Sequence, residues 1–161
     1  MIKEKYLGTY LKTARLFSSH SSAVRKKVGA VIVKDDRIIS IGYNGMPTGW
    51  DNKCEIKIYC DDGDWSEQQL PKDSNFWKKY KLVTRPEVIH AESNAIAKLA
   101  KSTESGDGAS MFITCAPCID CAKMIYQAGI KEVFYGEDYK NTDGIEFLHK
   151  CKIPVRQLHE I

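Results

Sequence analysis

Between residues 6 and 19, apolar side chains recur at Tyr6, Leu7, Tyr10, Leu11, Ala14 and Phe17. That spacing marks one face of a helix, and the polar run 18–22 ends it. Two β-rich runs follow, 28–33 and 38–41, separated by Lys34-Asp35-Asp36-Arg37. They predict a hairpin. Gly42-Tyr43-Asn44-Gly45-Met46-Pro47 then predicts a turn-rich loop. Residues 48–88 show no clear periodicity and hold Trp50, Trp65, Trp77, Cys54, Cys60 and many charges. A structureless stretch of that length inside a compact domain is seldom idle. It is expected to be an insertion that serves as a lid, an oligomer contact or a regulatory element. Regular order returns afterwards: helix over 89–101, turn at 105–108, strand over 109–114, and helix over 118–128 stopped by Gly129. A strand at 131–135, a short helix at 142–150 and a last strand at 153–158 complete the chain.

A hairpin followed by α-β-α-β-α-β predicts an α/β fold with a five-stranded mixed sheet, helices on its faces and right-handed crossovers between the later strands. At 161 residues this is expected to be one domain, 1–161, with the insertion inside it. A net charge of +3 is too small to argue for nucleic acid by bulk electrostatics, though it leaves room for a local basic site. The opening Met1-Ile2-Lys3-Glu4-Lys5 has no apolar signal core. No apolar run approaches the ~20 residues that cross a bilayer, so no membrane association is expected and cytoplasmic is the default location. Of the six cysteines, three gather in one stretch, unlike a secreted disulfide framework.

That stretch carries the chemistry. His90-Ala91-Glu92 lies at one end of it and Pro117-Cys118-Ile119-Asp120-Cys121 at the other. Pro117 suits the opening of a helix, where its missing N–H costs nothing. Cys118 and Cys121, three apart, would then share a helical face in the first turn. There the helix dipole favours thiolates. With His90 they make three zinc ligands and leave a fourth position open for water, which is the catalytic pattern; structural zinc is normally closed by four. Glu92 is then most useful off the metal, moving protons for a hydrolytic deamination. A C-x-x-C pair can also be a redox motif or half of a structural zinc site. Cys115 with Cys118, Cys121 and His90 could close a Cys3His site, which would leave Glu92 without a task.

H-x-E…P-C-x-x-C is a signature of zinc-dependent nucleobase deaminases. The chain resembles the deoxycytidylate (dCMP) deaminase branch of that family, phage-type members included. The likeness runs through Val28-Gly29-Ala30-Val31-Ile32-Val33, the Gly42–Pro47 loop, His90–Ile96, Pro117–Lys123 and Gln127-Ala128-Gly129-Ile130-Lys131-Glu132-Val133. The resemblance implies a cytidine deaminase-like three-layer α-β-α fold. It also implies hydrolysis of dCMP to dUMP and ammonia, supplying thymidylate synthesis, with Zn2+ as cofactor. Glu92 would be catalytic, and Asn44 would contact the sugar. Arg25, with Ser21, Ser22 and the weaker candidate Lys27, would take the 5′-phosphate; Ala91 would add a substrate contact and Tyr139 would close over the base. Read from the residues alone, Asn44 could be a turn asparagine in a left-handed conformation, Arg25-Lys26-Lys27 a solvated basic run, and Tyr139 a surface tyrosine. The resemblance further implies a homo-oligomer, a hexamer in many members, with dCTP-Mg2+ and dTTP as effectors. Gly42, Tyr43, Asn44 and Gly45 would be its regulatory positions. Some phage relatives hold a second zinc through two further cysteines. Cys54 matches one of them, Ala23 stands at the other, and Cys60 has no counterpart.

Two other readings compete. The chain could deaminate dCTP, or a different cytosine or adenine substrate up to nucleic acid, although one short basic run is little surface for a strand. It could instead be a zinc-binding regulatory module without catalysis, which the presence of Glu92 disfavours.

Overall fold

The computed structural model describes residues 2–59 and 80–159. Helix α1 (Glu4–Ser18) is followed by strands β1 (Gly29–Lys34), β2 (Arg37–Tyr43), β3 (Glu55–Tyr59) and β4 (Tyr80–Thr84). Then come α2 (Ala91–Leu99), β5 (Ser110–Cys115), α3 (Ile119–Gln127), β6 (Glu132–Glu137), α4 (Asp143–Lys150) and β7 (Val155–Gln157). The main sheet has the order β2-β1-β5-β6-β7. β1 runs antiparallel to both neighbours, while β5, β6 and β7 are mutually parallel. This is the expected five-stranded mixed sheet.

Both faces of the sheet are covered, which is why β1 and β5 read as unbroken apolar runs rather than as alternations. Ala30, Ile32, Met111, Ile113 and Val133 point to one face and pack against Ala91, Ala95, Ala122, Ile125 and Leu148 of α2, α3 and α4. Val31, Val33, Phe112 and Phe134 point to the other and meet Leu7, Tyr10, Leu11 and Ala14 of α1. Three layers result, with the sheet in the middle. The left-handed Gly129 ends α3 (φ 77°). Its N–H bonds the carbonyl of Tyr126 at 3.0 Å, and that of Ile130 bonds the carbonyl of Ile125 at 3.3 Å, a Schellman closure.

Three expectations are corrected. The stretch 42–43 belongs to β2 rather than to a loop. It is held there by α2: Asn94 Nδ2 donates to the Tyr43 carbonyl at 3.0 Å, Lys98 Nζ to Ile41 at 2.9 Å, and Ser40 Oγ to Ala95 at 2.7 Å. The insertion is not structureless, since β3 and β4 pair antiparallel within it. The alternation Glu55-Ile56-Lys57-Ile58 carried the period-2 signal. It was overlooked because a five-residue strand amid charges, far in sequence from its partner, is a weak pattern. Cys60, Trp65 and Trp77 lie outside the described residues. Finally, α3 begins one residue after Cys118. Pro117 therefore precedes the N-cap instead of occupying the first helical position.

Candidate active site

Two helices aim their N-termini at one point. His90 is the N-cap of α2 and Cys118 the N-cap of α3, both in extended backbone, and neither side chain makes a capping hydrogen bond. Cys121 follows in the first turn of α3. His90 Nδ1 lies 3.4 Å from Cys121 Sγ and 3.6 Å from Cys118 Sγ, and all three ligand atoms fall within 4.8 Å of one another. A tetrahedral zinc with Zn–S of ~2.3 Å and Zn–N of ~2.0–2.1 Å sets nitrogen–sulfur separations of ~3.5 Å. The donors are soft thiolates and an imidazole, so both chemistry and spacing fit zinc. The α4 N-terminus backs the loop: a Cβ on Gly144 would stand 2.1 Å from the Pro117 carbonyl, so only glycine lets the helix sit there.

The electrostatics suit a metal. Hydrogen bonding to Cys121, and then to His90, pulls the Cys118 thiol down to about 4. The proton this displaces is held by its partner, so the Cys121 thiol is pushed up by its bond to Cys118. Hydrogen bonding to Cys118 holds His90 above its ordinary value against the effect of burial. A divalent cation would replace that proton between the two sulfurs. Ser93 Oγ stands 3.7 Å from Cys121 Sγ, beside the ligand set.

Cys115 is outside this cluster. It is buried at the end of β5, where its thiol faces the Asp138 carbonyl at 3.5 Å. Although Cys115 lines the same cavity, its sulfur is not among the ligand atoms that lie within 4.8 Å of one another, so the closed Cys3His alternative fails.

Glu92 is 4% exposed. Burial pushes its carboxyl up to about 7, against the opposing pull of His90 and Cys121. It lines a cavity of about 380 Å³ together with His90, Ala91 and Cys118. The cavity opens at the carboxyl ends of the parallel strands β5 and β6, the usual ligand position in an open α/β sheet. Ala91 is the first residue of α2, so its N–H has no acceptor within the helix.

Arg25, Asn44 and Tyr139 are brought to the same cavity. Asn44 is not a left-handed turn residue. Its Oδ1 accepts from the Val28 N–H at 2.8 Å and its Nδ2 donates to the Lys26 carbonyl at 2.9 Å. This clamps the chain entering β1 and leaves one N–H and one lone pair for a ligand.

Three expected contacts are not in the cavity wall. Lys27 Nζ turns out to the Ser19 carbonyl at 3.4 Å. Lys26 lines the cavity instead, with its Nζ 3.1 Å from Glu137. The buried Ser21 hydroxyl accepts from the Ala23 N–H at 3.1 Å. Ser22 Oγ faces Cys54 at 3.3 Å. Ser22 lines a second cavity, of about 410 Å³, with His20, Tyr43, Asn44, Gly45 and Trp50. Gly42 is absent from that wall because it is sealed under α2: a Cβ there would stand 2.1 Å from the Ala91 carbonyl. Sequence reasoning missed Glu55, Thr84 and Lys140, which also line the first cavity. The alternation in β3 could have drawn attention to Glu55.

Known proteins resemble the chain that carries this site. The family described as the cytidine and deoxycytidylate deaminase zinc-binding region matches residues 4–137. The deoxycytidylate deaminase of Enterobacteria phage T4 is 39% identical, the match covering 85% of this chain and 81% of that protein. ComE operon protein 2 of Bacillus subtilis (strain 168) is 38% identical, with 92% and 69% covered. The crystal structure of dCMP deaminase from the cyanophage S-TIM5 in complex with dCMP and dUMP superposes with a TM-score of 0.79 at 41% identity. It covers 98% of this chain and 100% of that one.

Proposed function

We propose, from the premise that the chain belongs to the cytidine and deoxycytidylate deaminase family, that it hydrolyses dCMP to dUMP and ammonia. The observation that carries this is the His90, Cys118 and Cys121 cluster with Glu92 buried beside it in one cavity. Those three side chains would hold the zinc. When bound, zinc supplies a Lewis acid that makes water nucleophilic at neutral pH. Glu92 takes one proton from the water that attacks C4 of the cytosine and delivers it to N3. It then takes the second from the new C4 hydroxyl and gives it to the amine, which leaves as ammonia while the C4 carbonyl forms. Burial raises the carboxyl's hold on a proton, which suits a group that must both accept and give one. Burial of Glu92 keeps bulk water from short-circuiting these transfers.

Arg25 takes the 5′-phosphate, with Lys26 and Lys140 on the same wall as further positive charge. Asn44 reaches the sugar, the Ala91 N–H, without an acceptor inside α2, faces the base, and Tyr139 covers it. Nucleotide regulation is assigned to the second cavity: dCTP with Mg2+, or dTTP, would bind against Tyr43, Asn44 and Gly45. Ser22 then belongs to that site. Asn44, which lines both cavities, is the physical link between them. Exposed Leu16, Val24, Met124 and Tyr126 support a homo-oligomer, expected as a hexamer; light scattering checks it. The product dUMP would serve thymidylate synthesis. No helix among the described residues is long and apolar enough to cross a membrane, and the cytoplasm is the proposed location.

The test is ammonia release from dCMP, dCTP, deoxycytidine, cytosine and a single-stranded oligonucleotide. The reading expects dCMP to give the highest kcat/KM. A higher value on any of the others contradicts it, and release from none would leave a zinc-binding module.

A further inference from the structure

We propose that Glu55 and Thr84, cross-strand neighbours in the β3–β4 hairpin, are positioning residues for the nucleotide's phosphate and act through Arg25. The proposal deepens the dCMP reading above and rests on it.

Arg25 sits in the irregular segment between α1 and β1, where no ladder fixes it. The hairpin holds it at both ends. Glu55 Oε1 accepts from the backbone N–H of Val24 at 3.0 Å and of Arg25 at 3.1 Å, and Oε2 lies 3.2 Å from the Val24 nitrogen. One carboxylate therefore fixes two successive peptides. Arg25 Nη1 donates to Thr84 Oγ1 at 3.1 Å. Glu55 and Thr84 are direct partners in the β3–β4 register, so the two grips come from one rung of the ladder. Both residues line the cavity that Arg25 and Glu92 share. The hairpin's own base is tied down: Arg85 Nη1 reaches Asp51 at 2.8 Å, its Nε reaches Glu87 at 3.4 Å, and its N–H bonds the Cys54 carbonyl at 2.9 Å.

A long side chain on a loose segment loses backbone and rotamer freedom when it binds a phosphate. Holding peptide and guanidinium in advance removes that cost. Glu55 could not serve as a direct phosphate contact, since a carboxylate repels a dianion. Its oxygens are instead engaged by N–H groups. One competing role exists. Two successive N–H groups form an anion-binding nest, so Glu55 could occupy the phosphate's own place as a plug. The two roles give opposite signs.

Measure kcat and KM on dCMP and on deoxycytidine with the zinc-loaded full chain, for wild type, Glu55→Ala, Thr84→Val, Arg25→Ala and the two double variants with Arg25→Ala. A misplaced binding group costs up to about 100-fold. Positioning expects Glu55→Ala to lower the dCMP-to-deoxycytidine selectivity by about 10- to 100-fold, through KM rather than kcat. Thr84→Val, nearly isosteric and lacking only the acceptor, should move the same ratio in the same direction. Neither change should lower the ratio further once Arg25 is alanine, because residues acting through one another are non-additive. Unchanged ratios, additive losses, or a lower KM for dCMP in Glu55→Ala would each overturn the proposal, the last by identifying a plug. Should Glu55→Ala fail to fold, as judged by zinc content and unfolding temperature, the Thr84→Val cycle decides. A wild-type chain with no preference for dCMP over deoxycytidine removes the substrate reading and this proposal together. A wild-type preference that the variants retain removes this proposal alone.

Discussion

Replacing Gly42 with alanine separates a structural role from a regulatory one. The new Cβ would stand 2.1 Å from the Ala91 carbonyl and 2.6 Å from the Ala95 nitrogen, both backbone atoms of α2. Real Cβ atoms essentially never approach closer than 3.0 Å, so α2 and β2 must part by about 0.9 Å. The three side-chain bonds from Ser40, Asn94 and Lys98 resist that movement. Overpacking of this kind costs about 1–3 kcal/mol, which in a chain of this size lowers the unfolding temperature by roughly 4–8 °C at the middle of the range. The N-terminus of α2 carries His90 and Glu92, so the displacement reaches the reacting groups. A shift near 1 Å is worth about 100-fold in rate. Thermal unfolding, zinc analysis and dCMP kinetics without effectors should therefore all show the change. If unfolding temperature and effector-free kcat/KM stayed at wild-type values while only the response to dCTP or dTTP changed, the packing argument would be wrong and Gly42 would be a regulatory position.

The metal and phosphate assignments are tested separately. Purified protein should carry one zinc per chain; Cys121→Ala should lose it and Cys115→Ala should keep it, so zinc loss from the Cys115 variant would reinstate the closed site. Chelation should abolish dCMP turnover and added Zn2+ should restore it, whereas activity surviving complete metal removal would refute the role given to the cluster. Arg25→Ala should lower kcat/KM on dCMP by roughly 10- to 150-fold, the worth of a charge-assisted contact, and far less on deoxycytidine; equal losses on both would move the phosphate elsewhere.

The core of the fold was legible because its signals are local. Heptad-like spacing from Tyr6 to Phe17 marks α1, and unbroken runs such as 28–33 mark strands buried on both faces. The metal ligands were legible because His90, Cys118 and Cys121 are rare residue types in a two-part spacing. Less was legible where tertiary contact decides. The extension of β2 through Gly42 and Tyr43 depends on α2 lying against it, which no turn propensity reveals. Lys27, the weaker phosphate candidate, lies outside the cavity wall while Lys26 lines it, because the segment before β1 is irregular and no periodicity in the sequence sets which side chain faces inward. β3 and β4 were missed because Ile56 and Ile58 stay 48% and 39% exposed, so the hairpin carries no buried face to advertise. That same hairpin brings Glu55 and Thr84 to the cavity, and their place there follows from pairing across the insertion.

The central claim is that Glu92 moves the protons of dCMP deamination without holding the metal. Glu92→Gln tests it, since the amide is nearly isosteric and cannot accept and return a proton. Zinc content and dUMP formation should be measured side by side on wild type and variant. The account expects one zinc in each, with kcat lower in the variant by at least ~10³-fold, within the range typical of general acid–base catalysis. A variant that lost its zinc would make Glu92 a ligand or a structural prop, and one that kept near-full activity would contradict the mechanism.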